Sequence, residues 1–188
     1  TVSIYENNKL NKLSKNLNDT SLGYFYAEST KILGLKPFEH EFKVMGMAPY
    51  AKKEDVARIL KELDGLIVVN KEGNFETKIV SSLFQYELEK IFKYEKFENI
   101  CGAVQQFSEN LIVKWIEYWM NKTSLDNLVL SGGVFMNIKA CKKILEHSKV
   151  KSLFIVPSAS DESLPFGALY KINKKNNQPI EILENLYV

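Results

Sequence analysis

The last third of this chain admits few folds. Asn127-Leu128-Val129-Leu130 is a short apolar run that ends in Ser131-Gly132-Gly133, and a helical pattern over about 134–147 follows. Ser152–Val156 is a second strand-sized run, then comes Pro157-Ser158-Ala159-Ser160, then another helical pattern over about 162–172. Strand, helix, strand, helix with short links predicts a partly parallel sheet covered by helices, because parallel neighbours need a crossover to return the chain.

Upstream the rhythm differs. The strongest helix is expected at roughly 98–121, where Ile100, Val104, Phe107, Leu111, Trp115 and Tyr118 recur at three- and four-residue steps. That aromatic stripe reads as core. Residues 1–20 read as a hairpin turning at Glu6-Asn7-Asn8-Lys9. Residues 21–33 read as a helix capped by Ser21 or Thr20 and ended by Gly34, with Leu22, Phe25, Tyr26, Ser29 and Leu33 on one face. A loop is expected over 35–51, long and apolar as functional loops tend to be. Residues 53–64 predict a helix, Leu66–Val69 against Phe75–Val80 a hairpin turning at Lys71-Glu72-Gly73-Asn74, and Ser82-Leu83-Phe84-Gln85 a capping box that opens a helix to about Lys93.

Composition bounds the class. The 188 residues are 45% hydrophobic, which is enough for a sizeable core and too few residues for two comfortable domains. The net charge of +2 gives no polybasic field for nucleic acid or an anionic membrane. No run approaches the roughly 18 apolar residues of a membrane helix, and no secretory leader pattern opens the sequence. Two cysteines, Cys101 and Cys141, make no disulfide framework and suit a reducing, cytoplasmic setting. Thr1-Val2-Ser3-Ile4-Tyr5 starts mid-strand and Leu186-Tyr187-Val188 stops without a polar tail, so a piece of a longer protein is expected.

The order of elements resembles one lobe of the ribonuclease-H-like fold, from which the actin, hexokinase and heat-shock ATPase superfamily builds its nucleotide cleft. On that reading the chain is α/β, one lobe over 1–188, with a mostly helical insertion at about 35–121.

A few residues carry chemistry. A strand running into Gly132 and Gly133 and then a helix lets a ligand approach the backbone closely, or simply makes a tight turn. Asp161 lies just past the second strand at the entry to the last helix. It either caps that helix or faces the ligand cleft that open α/β sheets form at the carboxyl ends of their strands. Glu41 and Lys43, two residues apart in the apolar loop, either present opposite charges to one pocket or form an ordinary surface pair. The two histidines, His40 and His147, have no ligand-spaced partner.

Three segments together resemble the nodulation U-type O-carbamoyltransferases. The first is Ser21-Leu22-Gly23-Tyr24-Phe25-Tyr26 with Thr30 and Leu33-Gly34. The second is Glu41-Phe42-Lys43-Val44-Met45-Gly46-Met47-Ala48-Pro49-Tyr50. The third is Leu130-Ser131-Gly132-Gly133-Val134 with Asn137, followed by Pro157, Asp161-Glu162 and Gly167-Ala168. Ala103-Val104-Gln105 and Leu183-Glu184-Asn185-Leu186-Tyr187 are similar as well.

The resemblance implies the second half of an actin-like domain that moves a carbamoyl group to an acceptor hydroxyl, often on a sugar. The donor is carbamoyladenylate, made from ATP and carbamoyl phosphate by a further domain. By position, Gly132, Gly133 and Asn137 would line the nucleotide or carbamoyladenylate site. Asp161 would be a ligand of iron or another divalent metal, and Glu41 and Lys43 would belong to the acceptor or carbamoyl pocket.

Departures from the family pattern accompany the match. The histidine pair that supplies most metal ligands is not in this chain. Ser163, Pro165, Ala51 and Cys141 stand where Gly, a small residue, Gly and Asn are usual. The chain alone is therefore expected to be inactive and to self-associate through the face its missing N-terminal lobe would cover. The alternative is a degenerate module that binds a nucleotide or a partner without catalysis.

Overall fold

The computed structural model describes residues 1–16, 20–79 and 81–179. The chain is mixed α/β, with three small sheets of two strands each among the described residues, and divides into two compact units, Thr1–Ser124 and Leu125–Val188.

The first unit opens with a hairpin of β1 (Val2–Glu6) and β2 (Lys9–Ser14). Asn7 and Asn8 both take positive φ, as a two-residue hairpin turn with the right twist demands. Helix α1 (Leu22–Ile32) buries Leu22, Phe25, Tyr26 and Ser29, as its period predicts, and Gly34 follows its end at φ 74°. Ser21 stands at the N-cap but its side chain caps nothing.

The expected loop at 35–51 is a correction. Residues Glu41–Met47 form helix α2 and Ala48–Tyr50 a 3-10 turn, with Val44 fully buried. Gly34, Pro37, Gly46 and Pro49 read as punctuation, and a seven-residue helix is too short to show a period above them.

Helix α3 (Lys53–Leu63) follows, then strands β3 (Val68–Val69) and β4 (Phe75–Glu76), then α4 (Ser81–Phe92) and α5 (Phe97–Thr123). The second hairpin is shorter than its apolar runs suggest. Its turn is where expected: Gly73 sits at φ 79°, and Asn70 Oδ1 accepts from Asn74 N–H at 2.9 Å. The proposed end of the hairpin at Val80 and the capping side chain of Ser82 lie outside the described residues, as do residues 17–19 and the closing segment 180–188.

Helix α5 is the spine of this unit. Its 27 residues make a rod of about 40 Å, against which α1, α2, α3 and the 3-10 turn pack. Phe25 is completely buried, with its ring centre 4.9 Å from that of Phe107 and 6.5 Å from that of Phe84. Burying a side chain of that size stabilises by about 1.5–3 kcal/mol. Ile59, Leu63, Leu88 and Val104 complete the core.

The second unit has the predicted parallel pair, β5 (Asn127–Leu130) beside β6 (Ser152–Ile155), in register from Asn127↔Ser152 to Leu130↔Ile155. The single helix expected over 134–147 is a second correction: a 3-10 turn at Gly133–Met136 and helix α6 (Ile138–Leu145) meet at Asn137. Asn137 restarts the helix because its side chain caps the new N-terminus. Leu130, Ala140, Cys141, Ile144 and Ala159 form a small core. Helix α7 (Ser163–Lys175) closes the described chain. Among the described residues no helix is long and apolar enough to cross a membrane.

Candidate functional site

In the second unit, two loops leave the carboxyl ends of β5 and β6. Val156 N–H donates to Leu130 O at 2.9 Å and Gly132 N–H to Ala159 O at 2.7 Å, which fastens the loop at 131–137 to the loop at 156–162. The structure thus brings Gly132, Gly133, Asn137 and Asp161 to one end of the parallel pair, where open α/β sheets bind ligands.

The two glycines differ in why they are glycine. Gly132 has φ 110° and ψ 150°, a region that side chains all but forbid. Gly133 has no positive φ, and a Cβ built on it would meet nothing within 4 Å. Neither its backbone nor its packing requires glycine, so the space above it is left open.

Asn137 supports the local structure, since its Oδ1 accepts from Ala140 N–H at 3.1 Å and so caps α6. Asp161 is exposed, and α7 has its N-cap at Glu162 with no side-chain cap, so the capping reading of Asp161 does not hold. Ser163 Oγ donates to Ser160 O at 2.8 Å and lies 3.5 Å from Ser131 Oγ, bridging the two loops at the mouth of the site. Among the described residues no three His, Cys, Asp or Glu side chains group to hold a metal ion.

Glu41 and Lys43 belong to the first unit. Both lie on α2, where two residues of separation turn side chains about 200° apart. The helix does not bring them to one point. Glu41 Oε1 accepts from Phe38 N–H at 2.6 Å, whereas the Lys43 ammonium sits 5.8 Å from the centre of the Phe42 ring.

Two buried polar arrangements of this unit escape sequence reading. Tyr26 donates to Gln105 Oε1 at 2.8 Å, and Gln105 Nε2 donates to Glu109 Oε1 at 2.7 Å. Burial, with lesser contributions from Cys101, Glu109 and Glu41, pushes the Tyr26 phenol far above the usual tyrosine range, so it remains a hydrogen-bond donor. Asn99, almost wholly buried, accepts from Lys52 N–H at 2.9 Å and donates to Asp55 Oδ2 at 2.8 Å. Arg58 pairs with Asp55 and Glu95, and its hydrogen bond holds the Asp55 carboxyl below the usual range. The i, i+4 spacing of Gln105 and Glu109 and the i, i+3 spacing of Asp55 and Arg58 are visible in the sequence; the other pairings cross 37 residues or more.

Compared with known proteins, residues 2–169 match the carbamoyltransferase N-terminus family. The chain belongs to that family, as its resemblance to the nodulation carbamoyltransferases led one to expect. An uncharacterized protein of Methanocaldococcus jannaschii is 34% identical over 176 residues, covering 88% of this chain and 33% of that protein. An uncharacterized protein of Synechocystis is 28% identical over 171 residues, 81% of this chain and 27% of that protein. The nodulation protein NolO of Bradyrhizobium diazoefficiens is 24% identical over 162 residues, 85% of this chain and 29% of that protein. The chain thus spans a third or less of the length of these relatives.

Proposed function

We propose that this chain is one lobe of an actin-like, ribonuclease-H-like domain in an O-carbamoyltransferase. The protein containing it transfers a carbamoyl group from carbamoyladenylate to an acceptor hydroxyl, a sugar hydroxyl among the candidates. The observation that carries the reading is Gly133, a glycine that nothing within the described chain requires, at the strand ends where a ligand belongs. To an adenylate the two loops offer two residues without side chains and, 3.5 Å apart, the hydroxyls of Ser131 and Ser163.

When bound, the adenylate supplies an activated carbamoyl carbon. The chain's own part is to hold and orient it: Gly132 and Gly133 admit its backbone-hugging portion and Asn137 fixes the loop around it. Lys43 and the segment around Glu41 serve the acceptor side. Asp161 offers one uncapped carboxylate to a divalent metal. One carboxylate is too few to hold a catalytic ion by itself. The rest of the set would come from an N-terminal lobe, and this chain alone is expected to transfer nothing.

The test is label transfer from radiolabelled carbamoyl phosphate, with ATP, to a panel of methyl hexosides by the full-length protein. Transfer that Gly133→Val reduces at least tenfold supports the reading. No transfer by the full-length protein overturns it in favour of a degenerate binding module. That second reading draws on Ser163, whose hydroxyl stands at the mouth of the cradle where the family usually has glycine.

A further inference from the structure

We infer that Glu41 is a positioning residue: its carboxylate holds Phe38 in a left-handed backbone conformation and thereby sets an exposed phenyl ring toward the acceptor. The inference rests on the carbamoyl-transfer reading above and gives Glu41 a different role from the direct contact expected of it.

Phe38 has φ 65°. For a bulky side chain that region is strained, and strain of this kind persists only where its surroundings impose it. Burial does not offset it, because the Phe38 side chain is 73% exposed. Two side chains fix the turn instead. Glu41 Oε1 accepts from Phe38 N–H at 2.6 Å, a short charge-assisted bond. His40 Nδ1 accepts from Lys36 N–H at 3.1 Å, while His40 N–H donates to Lys36 O at 2.9 Å. A strained aromatic held outward by a carboxylate is costly for a loop that does nothing.

The neighbouring surface has a matching character. Phe42 is 60% exposed, edge-on to His40 at 6.3 Å, with the Lys43 ammonium near its ring. One turn further on the same face is Gly46, where a Cβ would meet nothing. A glycine within a helix is less favourable than alanine, and here it leaves the backbone open beside Phe42. Apolar rings beside a cation and bare backbone suit a ligand that carries an apolar face next to its hydroxyls, as a hexose ring does.

The experiment uses the full-length protein, ATP and carbamoyl phosphate, with the best methyl hexoside of the panel as acceptor probe. Glu41→Ala and Phe38→Ala are each expected to raise the acceptor KM at least fivefold with kcat within threefold. Glu41→Gln, which keeps an acceptor oxygen for the Phe38 N–H, should stay within twofold of wild type. The double variant should be no worse than the poorer single one, since both changes remove the same ring placement. Phe38→Ala alters an exposed side chain and keeps the fold, so it reads the ring's role even if Glu41→Ala is poorly folded. A wild-type KM in Phe38→Ala, additive losses in the double variant, or Glu41→Gln as poor as Glu41→Ala would each overturn the inference while leaving carbamoyl transfer intact. A wild-type protein silent with every hexoside overturns the hydroxyl-transfer reading and this inference with it.

Discussion

Gly102 and Gly133 make opposite predictions at the scale of single residues. A Cβ on Gly102 would stand 2.4 Å from Ala51 Cβ and 2.8 Å from Val56 Cγ2, inside the contact of α5 with the 3-10 turn and α3. Gly102→Ala should therefore destabilise by about 1–3 kcal/mol, as overpacking does, and thermal unfolding will show a midpoint lower by several degrees. Gly133→Ala should leave that midpoint within about a degree, because the added methyl enters open space; its loss would appear in adenylate binding. Cys101 gives a pH prediction. Burial raises its thiol from 9.0 to about 11, so between those values the unfolded chain holds fewer protons than the folded one. Stability from this group is complete below pH 9 and falls as pH rises toward 11. Urea midpoints measured across that range should decline, and less so in Cys101→Ala. At this scale the sequence singles out residues by type, among them Gly132, Gly133 and Asp161, and the structure sets these three on the loops that follow β5 and β6. The sequence did not reveal Glu41's bond to Phe38, because a carboxylate's partner is set by a turn that no pattern announced.

Helix α3 starts without a cap of its own: Lys52 is its N-cap residue and makes no side-chain cap bond. That role falls to Asn99 on α5, which accepts from Lys52 N–H and donates to Asp55. Asn99→Ala should cost about 1–3 kcal/mol, since it removes both hydrogen bonds of a buried amide, while Asn99→Asp keeps the acceptor but sets a second carboxylate against Asp55. Chemical denaturation of both variants checks this. The second hairpin is held in a similar way, with Trp115 and Trp119 indoles both donating to Gly73 O at 3.0 and 2.9 Å. Gly73→Ala breaks both the positive φ and the contact, as its Cβ would fall 2.1 Å from Tyr118 Cε1. Near-ultraviolet circular dichroism should lose tryptophan signal in that variant. Elements with a long period or a marked turn were legible in sequence: α1, α3, α5, the Asn7-Asn8 hairpin and the parallel β5–β6 pair. Helix α2 and the break at Asn137 were not. Helix α2 is too short to show a period among its Gly and Pro neighbours, and the break at Asn137 is set by that side chain's bond from Ala140 N–H rather than by apolar spacing.

The whole molecule is uneven in how well it is buried. Unit one has a long central helix with thirteen buried residues. In unit two, α7 has none, and the paired Val129 and Phe154 are 72% and 58% exposed. Parallel strands ordinarily have both faces covered, so this unit should open more readily. Hydrogen exchange is expected to be at least tenfold faster at the β5 and β6 amides than at those of central α5; equal protection would refute it. The bond from Lys52 N–H to Asn99 has a further consequence, in time. Forty-seven residues separate donor and acceptor, and at about 5–20 residues per second a ribosome needs roughly 2–9 seconds to add them. During that interval α3 has been synthesised but its first turn has no lasting partner. The first unit thus cannot mature from its N-terminus onward; it waits for α5 to emerge, and then several helices lock at once.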